Sequence, residues 1–296
     1  MAWHRADVVF GLSKERLPVK TTDQLLKMRR AGLVVGRCLQ EVAAAAGEGV
    51  TTGDLDALAE KFIRAQGATP SFLGYHGFPG TLCVSVNDEV VHGIPGARVL
   101  RNGDLVSIDC GAIVDGWHGD SAITLIVGGD VHARPEDLAL SRATRDSMWS
   151  GIGGFRPGRG VYELGADIQS SIEASEQAVR ADGHDLTFGI VDGYTGHGIG
   201  QEMHMEPTVY NERVKAKGPQ IRVGATVAIE PMVTLGTYET HELEDEWTVV
   251  TDDGSRAAHW EHTVAATEGG LWVLTALDGG QAELEARGLP FAPLAD

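Results

Sequence analysis

Residues 103–124, GDLVSIDCGAIVDGWHGDSAIT, set two aspartates in the middle of otherwise apolar runs. The dipeptide Asp115-Gly116 favours the primed turns of tight hairpins, with Leu105, Val106, Ile108, Ile113 and Val114 before it and Ile123, Leu125, Ile126 and Val127 after. Pairing Val114 with Trp117 sets Asp109 opposite Ala122 and Asp120 opposite Gly111. Side chains alternate with period two, so Asp109 and Asp120 share one face as diagonal neighbours roughly 7–8 Å apart. A four-residue loop in the same register leaves that parity unchanged. Two like charges on a half-buried sheet repel each other and lose hydration unless something positive lies between them. A divalent metal ion, or two, meets that need.

A chain of 296 residues, 43% of them hydrophobic, can bury a sizeable core. A formal net charge of -18 argues against nucleic acid or an anionic membrane as the primary partner. No apolar run approaches the roughly 20 residues that span a bilayer, and the opening MAWHRADVVFGLSKERLPVK lacks a signal-peptide core. The three cysteines, Cys38, Cys83 and Cys110, form neither a CxxC motif nor an even disulfide framework, so a reducing cytoplasm is expected.

The spacing of apolar residues predicts a helix over 21–47 behind a Thr/Asp cap, and a second capped by Thr52 or Asp54 and ending near Gly67. From Pro135 the plan repeats: a helix, a Gly/Pro break, a second helix and a closing glycine. The strand segments repeat as well. GDLVSIDCG (103–111) compares with GATVAIEPM (224–232), setting Glu230 at the place of Asp109. GWHGDSAIT compares loosely with AHWEHTVAA, setting Glu261 at the place of Asp120, and VVHGIPG around His92 compares with TGHGIGQ around His197. The expected fold is an α/β (α+β) domain with pseudo-twofold symmetry, its central, mostly antiparallel sheet backed by helices. Residues 21–270 form this single domain, with halves at about 21–130 and 131–270, an extension over 1–20 and a tail over 271–296. Neither flank is assigned a catalytic role.

Asp109, Asp120, Glu230, Glu261 and His197 thus form a candidate cluster whose four negative charges are balanced by two divalent cations. Such ions, held about 3.5–4 Å apart, bring the pKa of a bridging water toward neutrality, which is hydrolytic chemistry. The oxygen-rich donor set suits Mn(II), Fe(II) or Co(II), with Zn(II) also accommodated.

VSVNDEVVHGIPG, LVSIDCGAIVDGWHGD, GHGIGQEMHMEP, AIEPMV and WEHTV, in this order, closely resemble the signature blocks of type I methionine aminopeptidases. The likeness runs from about Thr21 to Thr267. It implies the pita-bread fold and removal of initiator methionine from nascent chains with a small second residue. It further implies that Asp109 chelates one metal ion, that His197 and Glu230 hold the other, and that Asp120 and Glu261 bridge. Glu230 would also act as general base, His204 would hydrogen-bond the scissile carbonyl, and His92 would contact the scissile amide nitrogen or the tetrahedral intermediate. Tyr75, Phe78, Cys83 and Trp247 would line an apolar methionine pocket. Met203 stands where many relatives carry an aromatic residue, and Gly111 where some carry threonine. His118 and His262, beside ligands on strands, are expected to face away from the site; His76 is left open between pocket wall and core.

From His197 to Glu230 is 33 positions, too few for the helical insertion of type II relatives, and the zinc-binding extension of some type I enzymes is absent. The expected partner is the nascent polypeptide N-terminus at the ribosome, and the expected state a cytoplasmic monomer that binds neither nucleic acid nor membrane. Two other readings are an Xaa-Pro peptidase-like hydrolase of the same fold and a non-catalytic pita-bread binding protein. The former usually carries a whole domain before the catalytic one, whereas here the first ligand is already at 109; the latter loses metal ligands.

Overall fold

The computed structural model describes residues 17–295, so most of the extension assigned to 1–20 lies outside the described residues. The first half runs α1 (Thr22–Ala45), α2 (Thr52–Ala65), β1 (Thr69–Pro70), β2 (Leu82–Val86), β3 (Glu89–Val91), β4 (Leu105–Val114) and β5 (Trp117–Ile126). The second runs α3 (Pro135–Gly154), α4 (Leu164–Ala181), β6 (Gly189–Ile190), β7 (Gly196–Gly198), β8 (Met205–Val209), β9 (Thr226–Ile229) and β10 (Met232–Thr234). It continues through β11 (Thr240–Glu242), β12 (Val249–Thr251), β13 (Ala257–His259), β14 (His262–Thr267), β15 (Gly270–Val273) and α5 (Gln281–Ala286).

Capping boxes start both early helices. Thr21 Oγ1 accepts from Gln24 N–H while the Gln24 side chain accepts from Thr21 N–H. For α2 the cap is Thr51, one residue before the expected Thr52, because Asp54 at the third helical position reaches back to Thr51 N–H at 2.9 Å.

The hairpin β4–β5 has the expected register: Val114 opposes Trp117, Asp109 opposes Ala122, and Gly111 opposes Asp120. Asp115 and Gly116 both take positive φ (51° and 77°), as a two-residue primed turn requires. The second half builds the same hairpin with a break. Ile229 opposes His262 and Met232 opposes His259, so one register runs through both strand pairs. The residues between them, Glu230-Pro231 and Trp260-Glu261, leave the ladder. Pro231 has no N–H to donate, and the register sets two carboxylates face to face.

The halves join where β5 meets the start of β14. Ala122 N–H donates to Glu261 O (3.3 Å) and Glu261 N–H to Ala122 O (3.0 Å). Thr263 Oγ1 accepts from Asp120 N–H at 3.1 Å and donates to Asp120 O at 2.8 Å. This seam corrects the repeat alignment. Glu261 is the counterpart of Ala122, and the residue at the place of Asp120, two positions before the one facing the carboxylate of the opposite strand, is His259. The faint similarity of WHGD to AHWE is two residues out of step with this register; an even slip conserves the face, so Glu261 still points into the site.

Helices cover the outer faces of both halves. Val35, Cys38 and Leu39 of α1 and Leu55, Ala59 and Ile63 of α2 pack with Val84, Val106, Ile108 and Cys110 of the first sheet. Leu140, Trp149 and Ile152 of α3 and Ile168 and Ile172 of α4 pack with Val227, Ile229, Val233 and Val264 of the second. Residues past 270 belong to the same core: β15 pairs with β14, Leu284 is buried, and Arg29 donates to Leu274 O (2.7 Å) and Leu277 O (2.9 Å).

Helix α1 approaches β5 so closely that a Cβ on Gly119 would stand 2.7 Å from Gly32 N and 2.9 Å from Gly32 Cα. Backbone cannot step aside there as a side-chain tip can. Gly119→Ala therefore costs about 1–3 kcal/mol in urea unfolding of the metal-free protein. The control Gly47→Ala, whose Cβ meets nothing nearer than 3.9 Å, is near neutral or stabilising; equal stabilities of the two variants would refute the close approach. No helix among the described residues is long and apolar enough to cross a membrane.

Candidate metal centre

Five acidic and imidazole side chains come within electrostatic reach of one another. Asp109 lies in mid-β4 and Asp120 in β5, facing the same way by the hairpin register. His197 sits in β7, beside β9, while Glu230 and Glu261 occupy the two sides of the broken hairpin. Atoms of Asp120, His197 and Glu261 that can bind a metal lie within 4.8 Å of one another, and all three residues are buried. Glu230 joins them, its Oε1 3.3 Å from His197 Nε2, and Asp120 Oδ2 is 3.7 Å from the same nitrogen.

The electrostatics show a site short of positive charge. Burial first, then the neighbouring charges of Asp120 and Glu230, pushes the Asp109 carboxyl well above its ordinary range. Burial first, then Asp120, Glu230 and Asp109, does the same to Glu261. Burial also raises Asp120, against the opposing pull of His197. Burial by itself would lower His197, but Asp120 and Glu230 outweigh it and raise it. Asp109 Oδ1, Asp120 Oδ1 and Glu261 Oε1 are buried with no hydrogen-bond partner among the described residues. Orphaned buried carboxylate oxygens are costly, and a cation is what satisfies several at once. His197 Nδ1 lies 3.0 Å from Gly198 O, which makes Nδ1 the protonated nitrogen and leaves Nε2 free to bind a metal. The donor set therefore fits divalent metal, and its oxygen-rich character fits a hard or borderline ion.

Around this centre stand the other residues singled out in the sequence. His204, in the β7–β8 connection, stacks at a tilt against His197 with ring centroids 4.3 Å apart, and its Nδ1 is 3.1 Å from Tyr75 Oη. His92, at a left-handed φ of 59°, meets Tyr194 edge-on, and burial first and then His259 lower its pKa to about 4. Cys83 is the direct partner of Asp109 across β2 and β4, so it shares that face. Phe78 meets Trp247 edge-to-face at 5.1 Å, and Phe78, Cys83, Tyr75 and Trp247 belong to one apolar cluster with Phe72 and Met203. The two positions noted as departures touch: a Cβ on Gly111 would lie 2.7 Å from Met203 Cε and 2.7 Å from Ser71 Cβ. His76 is exposed, its ring against Tyr75, and so belongs to the rim of this cluster rather than to a core.

His262 faces away as expected, its Nδ1 near Thr275 Oγ1 (2.8 Å) and Ser121 Oγ (3.1 Å) and its ring against Trp149. His118 does not. It is two residues from Asp120, an even step, so it shares the metal-facing side; Ser71 Oγ holds its Nδ1 at 3.0 Å, and both Asp120 and His197 act on its charge. The same even step from Glu261 brings in His259, which the sequence reading overlooked. Its Nε2 is buried without a partner and lies 3.6 Å from Glu230 Oε2.

Comparison with known proteins agrees with this geometry. A model of metallopeptidase family M24 matches residues 26–268. Methionine aminopeptidase 1 of Mycobacterium tuberculosis is 51% identical over 260 residues, covering 88% of this chain and 95% of the relative. Methionine aminopeptidase 1 of Bacillus subtilis is 44% identical over 256 residues, with 86% and 98% covered. The crystal structure of methionine aminopeptidase from Thermotoga maritima superposes with a TM-score of 0.81 at 37% identity, covering 88% of this chain and 99% of that one. The chain belongs to metallopeptidase family M24, among its methionine aminopeptidases, and has their pita-bread fold.

Proposed function

We propose that the protein removes the amino-terminal methionine from nascent polypeptides with a small second residue, as a metal-dependent aminopeptidase of the cytoplasm. The observation that carries this reading is the buried convergence of Asp120, His197 and Glu261, with orphaned carboxylate oxygens, in a chain 51% identical to a methionine aminopeptidase. Asp109, Asp120, His197, Glu230 and Glu261 would together hold two divalent ions. Ions held there supply Lewis acidity and a water of near-neutral pKa.

Glu230 takes a proton from the attacking water and passes it to the leaving amine, its carboxylate standing at the edge of the cluster beside His197. His204 serves the scissile carbonyl. With the Tyr75 phenol donating to Nδ1, Nε2 of His204 carries the proton and donates it to the oxygen on which negative charge develops. His92, lowered by burial and therefore neutral, accepts from the scissile amide N–H without adding a positive charge beside the metal. Phe78, Trp247, Tyr75 and Cys83 take the methionine side chain, whose thioether packs well against ring edges. Access to the ribosomal exit and a monomeric state complete the proposal.

The test is release of free methionine from Met-Ala and Met-Leu peptides by chelator-stripped protein, before and after adding Mn(II), Fe(II), Co(II) or Zn(II). Metal-restored cleavage of Met-Ala, with little of Met-Leu or of an Ala-Pro control, is the expected result. Preference for Ala-Pro, or no cleavage with any metal, refutes the proposal.

A further inference from the structure

Glu230 is asked to do two things that both depend on direction: point one oxygen at the metal-binding cluster and keep a lone pair aimed at a proton. Its main chain falls in the break between β9 and β10, held there by Asn211 Nδ2 donating to its carbonyl (3.2 Å). His197 Nε2 lies 3.3 Å from Oε1. The other oxygen, Oε2, faces His259 Nε2 at 3.6 Å. Two imidazoles thus bracket the carboxylate, one per oxygen.

His259 is well built for holding something still. It is 2% exposed, and its main chain is fastened to the opposite half of the molecule. Its N–H is shared between Ser107 Oγ (3.1 Å) and Thr124 Oγ1 (3.0 Å), and its carbonyl accepts from Thr124 Oγ1 at 2.7 Å. Ser107 and Thr124 are direct partners on β4 and β5 and bond to each other at 2.9 Å. In the second hairpin His259 occupies the place that Asp120 holds in the first, so the face it presents is set by register. Its Nε2 is nevertheless without a hydrogen-bond partner among the described residues, an unusual state for a buried ring nitrogen.

We propose that His259 is a positioning residue for Glu230, its Nε2–H donating to Oε2 and so directing Oε1 toward the metal cluster. The assignment rests on the aminopeptidase reading for the task of Glu230, but not for the contact itself. At 3.6 Å the pair stands just beyond hydrogen-bond distance, and a donor to a ligating carboxylate sharpens both its affinity and its orientation.

The test compares His259→Leu with His259→Gln, which keeps an N–H donor of similar reach. Apparent Co(II) affinity is read from visible absorption during titration of the metal-free proteins, and kcat and KM from Met-Ala peptides with saturating Co(II). His259→Leu is expected to weaken Co(II) binding and lower kcat, each by about 10–100-fold, with KM nearly unchanged, and His259→Gln to recover most of both. Circular dichroism and urea unfolding exclude a folding defect. Wild-type affinity and kcat in His259→Leu overturn the proposal, as does a well-folded His259→Gln no better than the leucine variant. If wild-type protein loaded with Co(II) releases no methionine, the functional reading fails, and the Co(II) affinities of the two variants still decide the role of His259.

Discussion

Glu230→Gln lowers kcat for methionine release by about 10²–10⁴-fold at saturating metal, with circular dichroism and urea midpoint close to wild type. Glutamine keeps the volume of the side chain and one oxygen toward His197 Nε2, which in the native protein stands 3.3 Å from Oε1. It cannot receive a proton at that oxygen in the range where the enzyme works. The loss therefore falls on the step in which the water proton is taken and handed to the leaving amine. KM changes little, since the methionine side chain is held by Phe78, Trp247, Tyr75 and Cys83 in a separate apolar cluster. The fold survives because the substitution removes one of several crowded like charges: Asp109, Asp120 and Glu261 all feel Glu230 as a repulsive neighbour. Near-wild-type kcat in this variant would remove Glu230 from the chemistry.

Stripping the metal abolishes activity and also costs stability, in a way that depends on pH with a definite sign. An ion that binds only the folded chain stabilises it by about 2.7 kcal/mol when present at about 100 times its Kd. Without the ion, Glu261 has a folded-state pKa raised well above its ordinary 4.5, chiefly by burial and then by its carboxylate neighbours. The folded state then holds a proton that the unfolded chain has released. The stabilising contribution of that group is fully present below 4.5 and is lost as pH rises toward the folded value. The half-buried imidazoles of His92 and His262, lowered to about 4, act with the opposite sign in the acid range. Comparison with Glu261→Gln cancels them. The stability of metal-free Glu261→Gln relative to metal-free wild type is expected to grow as pH rises above about 5. With Mn(II) added the order reverses, because the wild type gains from the metal and the variant has lost a ligand. Urea unfolding of both proteins across pH, with and without Mn(II), measures this. A constant difference, or one that shrinks with rising pH, would show that Glu261 does not carry the strained charge.

Much of the site was legible before any tertiary structure. The hairpin register, the shared face of Asp109 and Asp120, and the turn at Asp115-Gly116 are consequences of period-two alternation and turn chemistry, both properties of a short stretch of chain. The capping boxes of α1 and α2 are equally local, and only the choice of Thr51 over Thr52 needed the side-chain geometry. Signature blocks pointed to His197, Glu230 and Glu261, which the fold brings close together. Alternation applied consistently would also have turned His118 and His259 toward the metal side, since each stands an even step from a ligand.

By itself, then, the sequence determined the helices, the first hairpin and the identity of the residues that could hold metal, because each depends on neighbours within a few positions. The tertiary structure alone decided which residues oppose across the broken second hairpin, where the two halves are stitched at Ala122 and Glu261, and what stands behind Glu230. Those relations join segments well separated in sequence: His259 lies 29 positions from Glu230, and Glu261 lies 139 positions from Ala122. They are set by which strand edges pair and how closely α1 can approach Gly119, quantities that exist only once the chain has folded.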